Sequence, residues 1–161
     1  RPGAARVTAV ATTQEEIGYQ GGGARVAAQA TDAIMAVAVD VTFATDHPGA
    51  EKKEVGEHRL GGGPVITRGS ITHPGVVRLL RESAEGLGIP YSLHASGRFT
   101  STDADAMHLA RSGVATGLVS IPNRYMHSPN EMVALDDLDR AAELLAEACR
   151  RVTRETDFTE R

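Results

Sequence analysis

Three observations on the sequence predict an α/β fold, in which a mostly parallel sheet is covered by helices. Short apolar runs without polar alternation recur along its 161 residues, as expected for strands that are buried on both faces. Segments with apolar residues at helical spacing separate several of these runs. The two kinds of segment alternate along the chain, and this order is typical of a sheet whose parallel strands are joined through helices.

The predicted strands are the short apolar runs rich in β-branched residues. They lie at Arg6–Thr12, Met35–Val41, Pro64–Thr67, Tyr91–Ala95 and Ala115–Ile121. We expect the last strand to end at Pro122, because proline has no N–H to donate in a sheet. Residues 44–63 combine glycine, proline and charged residues without a sustained period, which predicts a long loop.

The predicted helices follow from apolar spacing and from good helix-forming residues. They lie at Ala24–Ala30, Pro74–Leu87, Asp103–Arg111 and along an apolar stripe from Leu138 to Val152. Asp136 or Asp137 is the predicted N-cap of the last helix, whose arginines suit its carboxyl end. Cys149 lies on the apolar stripe, which indicates a packing role. Residues 153–161 are polar, and we expect them to form a frayed tail.

Composition argues against several classes of partner. The formal net charge is −4, and three Tyr, three Phe and no Trp leave little for stacking on bases, so nucleic acid is not expected. No apolar run approaches the ~20 residues that a membrane span requires. A single cysteine excludes an internal disulfide and fits a cytoplasmic protein.

Candidate chemistry lies where predicted strands end, which is where ligands bind in such sheets. Glu15 and Glu16 follow the first strand, Asp40 lies in the second, and His127 follows the last. The carboxylates of Glu16 and Asp40 and the imidazole of His127 form a ligand set that suits Zn²⁺, Co²⁺ or Mn²⁺. The alternatives are that Glu15 and Glu16 form a solvated acidic turn and that Asp40 caps a turn. The other five histidines are expected in loops or on surfaces: His47, His58, His73, His94 and His108.

Other catalytic motifs are not matched. The triple glycines at Gly21–Gly23 and Gly61–Gly63 fit neither GxxxxGK[ST] nor GxGxxG, which favours flexible turns over phosphate loops. No serine lies in a GxSxG sequence.

Four segments together resemble the tetrahedral (TET) and glutamyl aminopeptidase family of dinuclear metallo-aminopeptidases. They are TTQEEIG, AVAVDVTFATDHPG, LGGGPVITRG and TSTDADAMHLARSGVATGLVSIPNRYMHSP, in this order within residues 6–152. The resemblance implies hydrolysis of peptides at the amino terminus with two divalent metal ions, Zn²⁺ or Co²⁺, with Mn²⁺ as a further candidate.

The resemblance also implies a role for each matching residue. Glu15 is similar to the family's general base, which takes a proton from the attacking water. Glu16 and His127 resemble ligands of one metal, and Asp40 resembles a ligand of the other. Asp103 is then a residue behind the ligands or a helix cap, not a ligand. Arg124 and Tyr125 are expected to shape the site beside His127.

The family pattern further requires an upstream His and a bridging Asp, which this sequence lacks. With Arg1 in place of an initiator Met, we expect residues 1–152 to be the carboxyl part of an incomplete catalytic domain. A homo-oligomer, such as a dodecamer, is the assembly that the family suggests. Two alternatives stay open: a chain that is inactive alone because its metal site is incomplete, and a related zinc deacylase or amidohydrolase.

Overall fold

The computed structural model of the chain describes residues 5–17 and 21–159. The helices are α1 (Gly22–Ala30), α2 (Lys52–Val55), α3 (Pro74–Leu87), α4 (Ala104–Met107) and α5 (Leu135–Arg151). The strands are β1 (Met35–Phe43), β2 (Val65–Gly69), β3 (Ser92–Ser96), β4 (Ala115–Arg124) and β5 (Met132–Val133). Residues 1–4 of the predicted domain and 160–161 of the predicted tail lie outside the described residues. No helix in the described ranges is both long and apolar enough to cross a membrane.

The sheet has the order β1-β4-β2-β3, with β5 paired to β4. β1 and β4 are parallel from Met35–Ala115 to Phe43–Asn123, and β2 and β3 are parallel as well. The β2–β4 and β4–β5 pairings are short and antiparallel. The predicted α/β architecture with mostly parallel strands is therefore confirmed. Because β2 runs against β4, β1 and β4 end at one edge of the sheet, and β2 and β3 end at the opposite edge.

α3 and α5 pack on one face of this sheet and form the main core. Leu80 of α3 and Leu144 of α5 meet Ile66 and Val119 of the sheet, and none of the four is exposed to solvent. Burial of such a side chain contributes about 1.5–3 kcal/mol. α3 has the predicted bounds, since Pro74 fits its first turn and Gly88 ends it in the left-handed conformation at φ 67°.

The predicted strand at Arg6–Thr12 is wrong. These residues are irregular in the structure, and Val7 and Val10 are 64% and 51% exposed. A run of Val and Ala favours a strand only where a neighbouring strand offers hydrogen bonds and a surface to pack on. Within the described residues, no strand pairs with this segment.

The predicted end of β4 at Pro122 is also wrong, because the strand continues to Arg124. Pro122 stands opposite Thr42 of β1, while on the other side β2 stops at Ser120 and β5 begins at Asn123. Pro122 therefore lies between the residues of β4 that pair with β2 and those that pair with β5. Its missing N–H removes no hydrogen bond from either pairing. α4 is shorter than predicted and ends at Met107.

The structure gives Asp137 a different role from the predicted N-cap. Ala134 occupies that position, and Asp137 is fully buried within the first turn of α5. Its two carboxylate oxygens accept hydrogen bonds from the backbone N–H groups of Gly61 and Gly63, each at 2.8 Å. Asp137 therefore fastens the long loop to α5. The described part of the tail also differs from expectation, since Phe158 packs edge-on against His73 at 5.8 Å.

Candidate functional site

The structure brings two of the predicted site residues together. The Nε2 atom of His127 lies 3.3 Å from the Oε2 atom of Glu16, although the two residues are far apart in the sequence. Both side chains are exposed. Glu16 belongs to the turn that follows the irregular segment, and His127 belongs to the loop between β4 and β5. An imidazole nitrogen and a carboxylate oxygen therefore face the same space.

Asp40 lies in β1 opposite Ser120 of β4, near the edge where both strands end. Its Oδ1 atom accepts a hydrogen bond from the Val41 N–H at 2.7 Å. Partial burial raises the pKa of Asp40, and the neighbouring carboxylates of Asp103 and Glu16 raise this pKa further. Loss of solvent and nearby negative charge both disfavour the ionised carboxylate.

Glu15 belongs to the same electrostatic cluster. Burial raises the pKa of Glu15, and the charges of Asp40, Glu16 and Asp103 add to the increase, while His127 opposes it. These carboxylates repel one another at close range, and a cation would relieve that repulsion. Their oxygens, with the His127 nitrogen, are donors that suit divalent transition metals. The donor set therefore fits the metals that the resemblance implies.

A cleft of about 660 Å³ opens beside this cluster. Glu15, Glu16, Asp103 and His127 all line it, together with Arg25 of α1 and residues of α4. Asp103 accepts a hydrogen bond from the Thr12 hydroxyl at 2.6 Å, which ties the irregular segment to the start of α4. Asp103 occupies the N-cap position of α4, as one of the two alternatives predicts, but its side chain makes no capping hydrogen bond there.

Three non-glycine residues in the two loops that carry Glu16 and His127 have left-handed backbone conformations. Gln14 has φ 63°, Tyr125 has φ 60° and His127 has φ 63°. Such conformations cost about 1–3 kcal/mol each and persist where surrounding contacts hold them, often at functional sites. These conformations could not be predicted from residue type, because none of the three residues is a glycine or an asparagine.

Arg124 and Tyr125 shape the same loop, but through partners outside the cluster. Arg124 forms two hydrogen bonds with the carboxylate of Asp46, at 2.8 and 2.7 Å. These bonds lower the pKa of Asp46. The Tyr125 ring lies 5.0 Å from the ring of His47. The pairing of Asp46 with Arg124 was not predicted, because the resemblance assigned no role to Asp46 within the segment AVAVDVTFATDHPG.

His58 lies in the long loop, as expected, but it is fully buried there. Its ring bonds to the Ser92 hydroxyl and to the Val55 carbonyl, each at 2.7 Å, and burial lowers its pKa. His58 therefore holds the long loop against β3 and takes no part in the acidic cluster.

The described residues do not form a complete metal centre. Across 5–17 and 21–159, no group of three or more His, Cys, Asp or Glu side chains is arranged to hold a metal ion. Glu16 and His127 form a pair, and Asp40 is held separately by its bond to Val41. The predicted roles of Glu15, Glu16, Asp40 and His127 stay predictions.

Comparison with known protein families decides the relationship. The model of the M42 glutamyl aminopeptidase family matches residues 2–144. The chain belongs to this family. The four segments that suggested the resemblance all lie within the matched range. The polar cluster is therefore the candidate active site of this chain.

Individual M42 relatives agree with this assignment. The chain is 43% identical to the lysyl aminopeptidase of Pyrococcus furiosus over 150 residues, which is 93% of this chain and 42% of that protein. It resembles the structure of aminopeptidase APDkam598 from Desulfurococcus kamchatkensis at TM-score 0.77 and 44% identity, over 89% of this chain and 40% of that one.

A third relative is a peptidase of known assembly. The TET1 peptidase of Pyrococcus horikoshii, described as able to assemble into a tetrahedron or a large octahedral shell, matches at TM-score 0.66 and 28% identity. The match covers 88% of this chain and 40% of that one. The chain thus spans about two fifths of the length of these relatives.

Proposed function

We propose that the full-length protein is a metal-dependent aminopeptidase, which releases amino-terminal residues from peptides. The observation that carries this proposal is the contact between Glu16 and His127 at 3.3 Å, beside Glu15 with its raised pKa. This arrangement places two metal donors next to a free carboxylate, as metal-assisted hydrolysis requires. The aminopeptidases among the relatives support peptides as the substrates.

Glu16 and His127 would hold one divalent ion, and Asp40 would hold a second. Carboxylate and imidazole donors suit Zn²⁺ and Co²⁺, with Mn²⁺ as a further candidate. When bound, such ions supply Lewis-acid polarisation of the scissile carbonyl and of water.

Glu15 is the proposed general base. Its pKa is raised above that of an ordinary glutamate by burial and by Asp40, Glu16 and Asp103, which strengthens it as a proton acceptor. It takes a proton from the attacking water and returns that proton to the leaving amine. The adjacent cleft leaves this carboxylate accessible to a peptide.

Assembly and location extend the proposal. A homo-oligomer, with a dodecamer as the specific form, is supported by the tetrahedral and octahedral assemblies of the TET1 peptidase. Light scattering of the full-length protein tests it. A cytoplasmic location rests on the single cysteine of the sequence, which permits no internal disulfide.

A second candidate is that this chain by itself has no activity. It is favoured by the described residues, in which no set of three ligands is arranged to hold a metal ion. Catalytic zinc sites typically have three protein ligands, so the chain alone should bind metal weakly. Calorimetric titration of the chain with Zn²⁺ tests this, and tight binding of two ions per chain would contradict it.

The role of Glu15 is tested by Glu15→Gln in the full-length protein. Gln has the same shape but cannot accept a proton, so turnover of an aminoacyl-nitroanilide should fall about 10²- to 10⁴-fold. Metal content should stay unchanged. Glu147→Gln, on the far helix α5, is the matched control and should keep full activity. Full activity of Glu15→Gln would contradict the role.

A further inference from the structure

The loop between β4 and β5 has to hold His127 in an unfavourable backbone conformation. Both Tyr125 and His127 have positive φ, which an L-residue adopts at a cost of about 1–2 kcal/mol. Such a conformation persists only when nearby contacts over-determine it. The contacts that hold this loop therefore decide where the His127 ring points.

One side chain, that of Glu131, bridges the loop. Its Oε1 atom accepts a hydrogen bond from the backbone N–H of His127, and its Oε2 atom accepts one from the Asn123 side-chain amide at 3.0 Å. Each carboxylate oxygen thus has a different partner. Because Glu131 directly precedes β5, it closes the loop between its two ends.

Asn123 is a rigid anchor for this bridge. It is 2% exposed, and its backbone is paired with Phe43 of β1 and with Val133 of β5. Its Nδ2 atom donates to Glu131, whereas its buried Oδ1 atom has no hydrogen-bond partner among the described residues. The contacts run from a buried strand residue through Glu131 to the His127 backbone, and from the His127 ring to Glu16.

We propose that Glu131 is a positioning residue, which sets the His127 imidazole opposite Glu16 by bridging the His127 N–H to the Asn123 amide. The inference rests on the proposed function for the reaction that His127 serves, but the geometry of the bridge does not depend on that reaction. Glu131 acts through the backbone of His127 and touches no substrate.

The bridge depends on side-chain length and on two polar atoms, and not on negative charge. Gln at this position keeps the length, and its carbonyl can accept from the His127 N–H. Its NH₂ group can donate to the Oδ1 atom of Asn123 if that amide turns over, which moves the Nδ2 atom to the position without a partner. Asp keeps the charge but is shorter by one methylene, so it cannot reach both partners.

The test compares Glu131→Gln, Glu131→Asp and Glu131→Ala in the full-length protein. The first measurement is hydrogen exchange of the His127 amide, and the second is Zn²⁺ affinity by competition with a chelating dye. In Glu131→Ala, exchange should become about 10-fold to 100-fold faster, because the amide loses a charged acceptor. Zn²⁺ affinity should fall by about 10-fold to 100-fold, as for other residues that orient a ligand.

The conservative variants separate geometry from charge, even if Glu131→Ala does not fold. Glu131→Gln should stay within about threefold of wild type in both measurements, and Glu131→Asp should move towards the Ala result. Glu147→Ala, which removes a surface carboxylate with two arginine partners on α5, should change neither.

Three results would overturn the proposal. They are wild-type exchange and affinity in Glu131→Asp, an equal loss in Glu131→Gln and Glu131→Asp, and an equal loss in Glu147→Ala. Failure of the proposed function would leave the exchange result intact, because amide exchange does not depend on hydrolysis. The two failures are therefore distinguishable.

Discussion

The two faces of the sheet are built for different purposes. On one face, α3 and α5 bury Leu80, Leu144 and Val119 completely. On the other, a small cluster of Ala38, Ala104 and Leu118 lies near Asp40 and the polar cleft. The packed face accounts for stability by burying apolar surface, whereas the cleft face keeps charged groups close together at a cost in stability.

The handling of carboxylates shows the same contrast. Asp137, next to the packed face, is fully buried, and both of its oxygens accept backbone hydrogen bonds. On the cleft face, burial raises the pKa values of Glu15 and Asp40, and crowding by like charges raises them further. A carboxylate whose oxygens accept hydrogen bonds from nearby backbone groups indicates a structural role. Carboxylates that crowd together without a neutralising partner indicate a site for a cation.

The largest effect is expected on the cleft face, from His127→Ala in the full-length protein. Loss of a residue that only orients a ligand lowers metal affinity by up to ~100-fold. Loss of the proposed ligand itself should lower Zn²⁺ affinity by more than that. The free energy of unfolding without metal should change by less than about 0.5 kcal/mol, because the His127 ring is exposed. Dye competition and urea unfolding measure the two quantities. Unchanged affinity would remove His127 from the site.

On the packed face, Asp137→Ala should lower the free energy of unfolding by about 2–4 kcal/mol. The buried N–H group of Gly63 would lose its acceptor, at a cost of about 1–3 kcal/mol, and the loss of the more exposed Gly61 bond adds about 0.5–1.5 kcal/mol. Asp136→Ala, in the same turn but exposed, is the matched control and should cost little. Equal unfolding midpoints for the two variants in urea would contradict the assigned role.

A smaller loss is expected from Gly117→Ala in β4. A Cβ atom there would lie 2.7 Å from the Cγ1 atom of Val76 and 3.2 Å from the Cδ1 atom of Leu80. Overpacking of this kind costs about 1–3 kcal/mol. Gly97→Ala has open space around its Cβ position and should be nearly neutral. Thermal unfolding of both variants measures the difference. A stable Gly117→Ala would show that the packed face is looser than its contacts indicate.

The smallest effect concerns pH and His58. Burial lowers its pKa in the folded state, so the unfolded chain binds a proton more readily as pH falls through about 6.5. Its contribution to stability is therefore complete above that pH and is lost on acidification. Urea unfolding at several pH values should show a shallower loss in His58→Gln than in wild type. An unchanged slope would exclude His58 as the group responsible.

Sequence predicted best what is decided locally. The bounds of α3 follow from Pro74, an apolar period and Gly88, all within one segment. The strand at Arg6–Thr12 failed because a strand depends on a partner elsewhere in the chain, and Asp137 was misassigned because its partners lie in another loop. Family motifs led to Glu16 and His127, but the bridge through Glu131 depends on backbone conformations that those motifs do not report.

The central claim is that the cleft face is part of a metal-dependent aminopeptidase site. Its most direct test is hydrolysis of a short peptide by the full-length protein, followed by mass spectrometry before and after removal of metal with a chelator. The account predicts stepwise loss of amino-terminal residues, abolished by the chelator, restored by Zn²⁺ or Co²⁺, and not seen with the N-acetylated peptide. Hydrolysis that survives the chelator, or that proceeds equally well on the N-acetylated peptide, would contradict it.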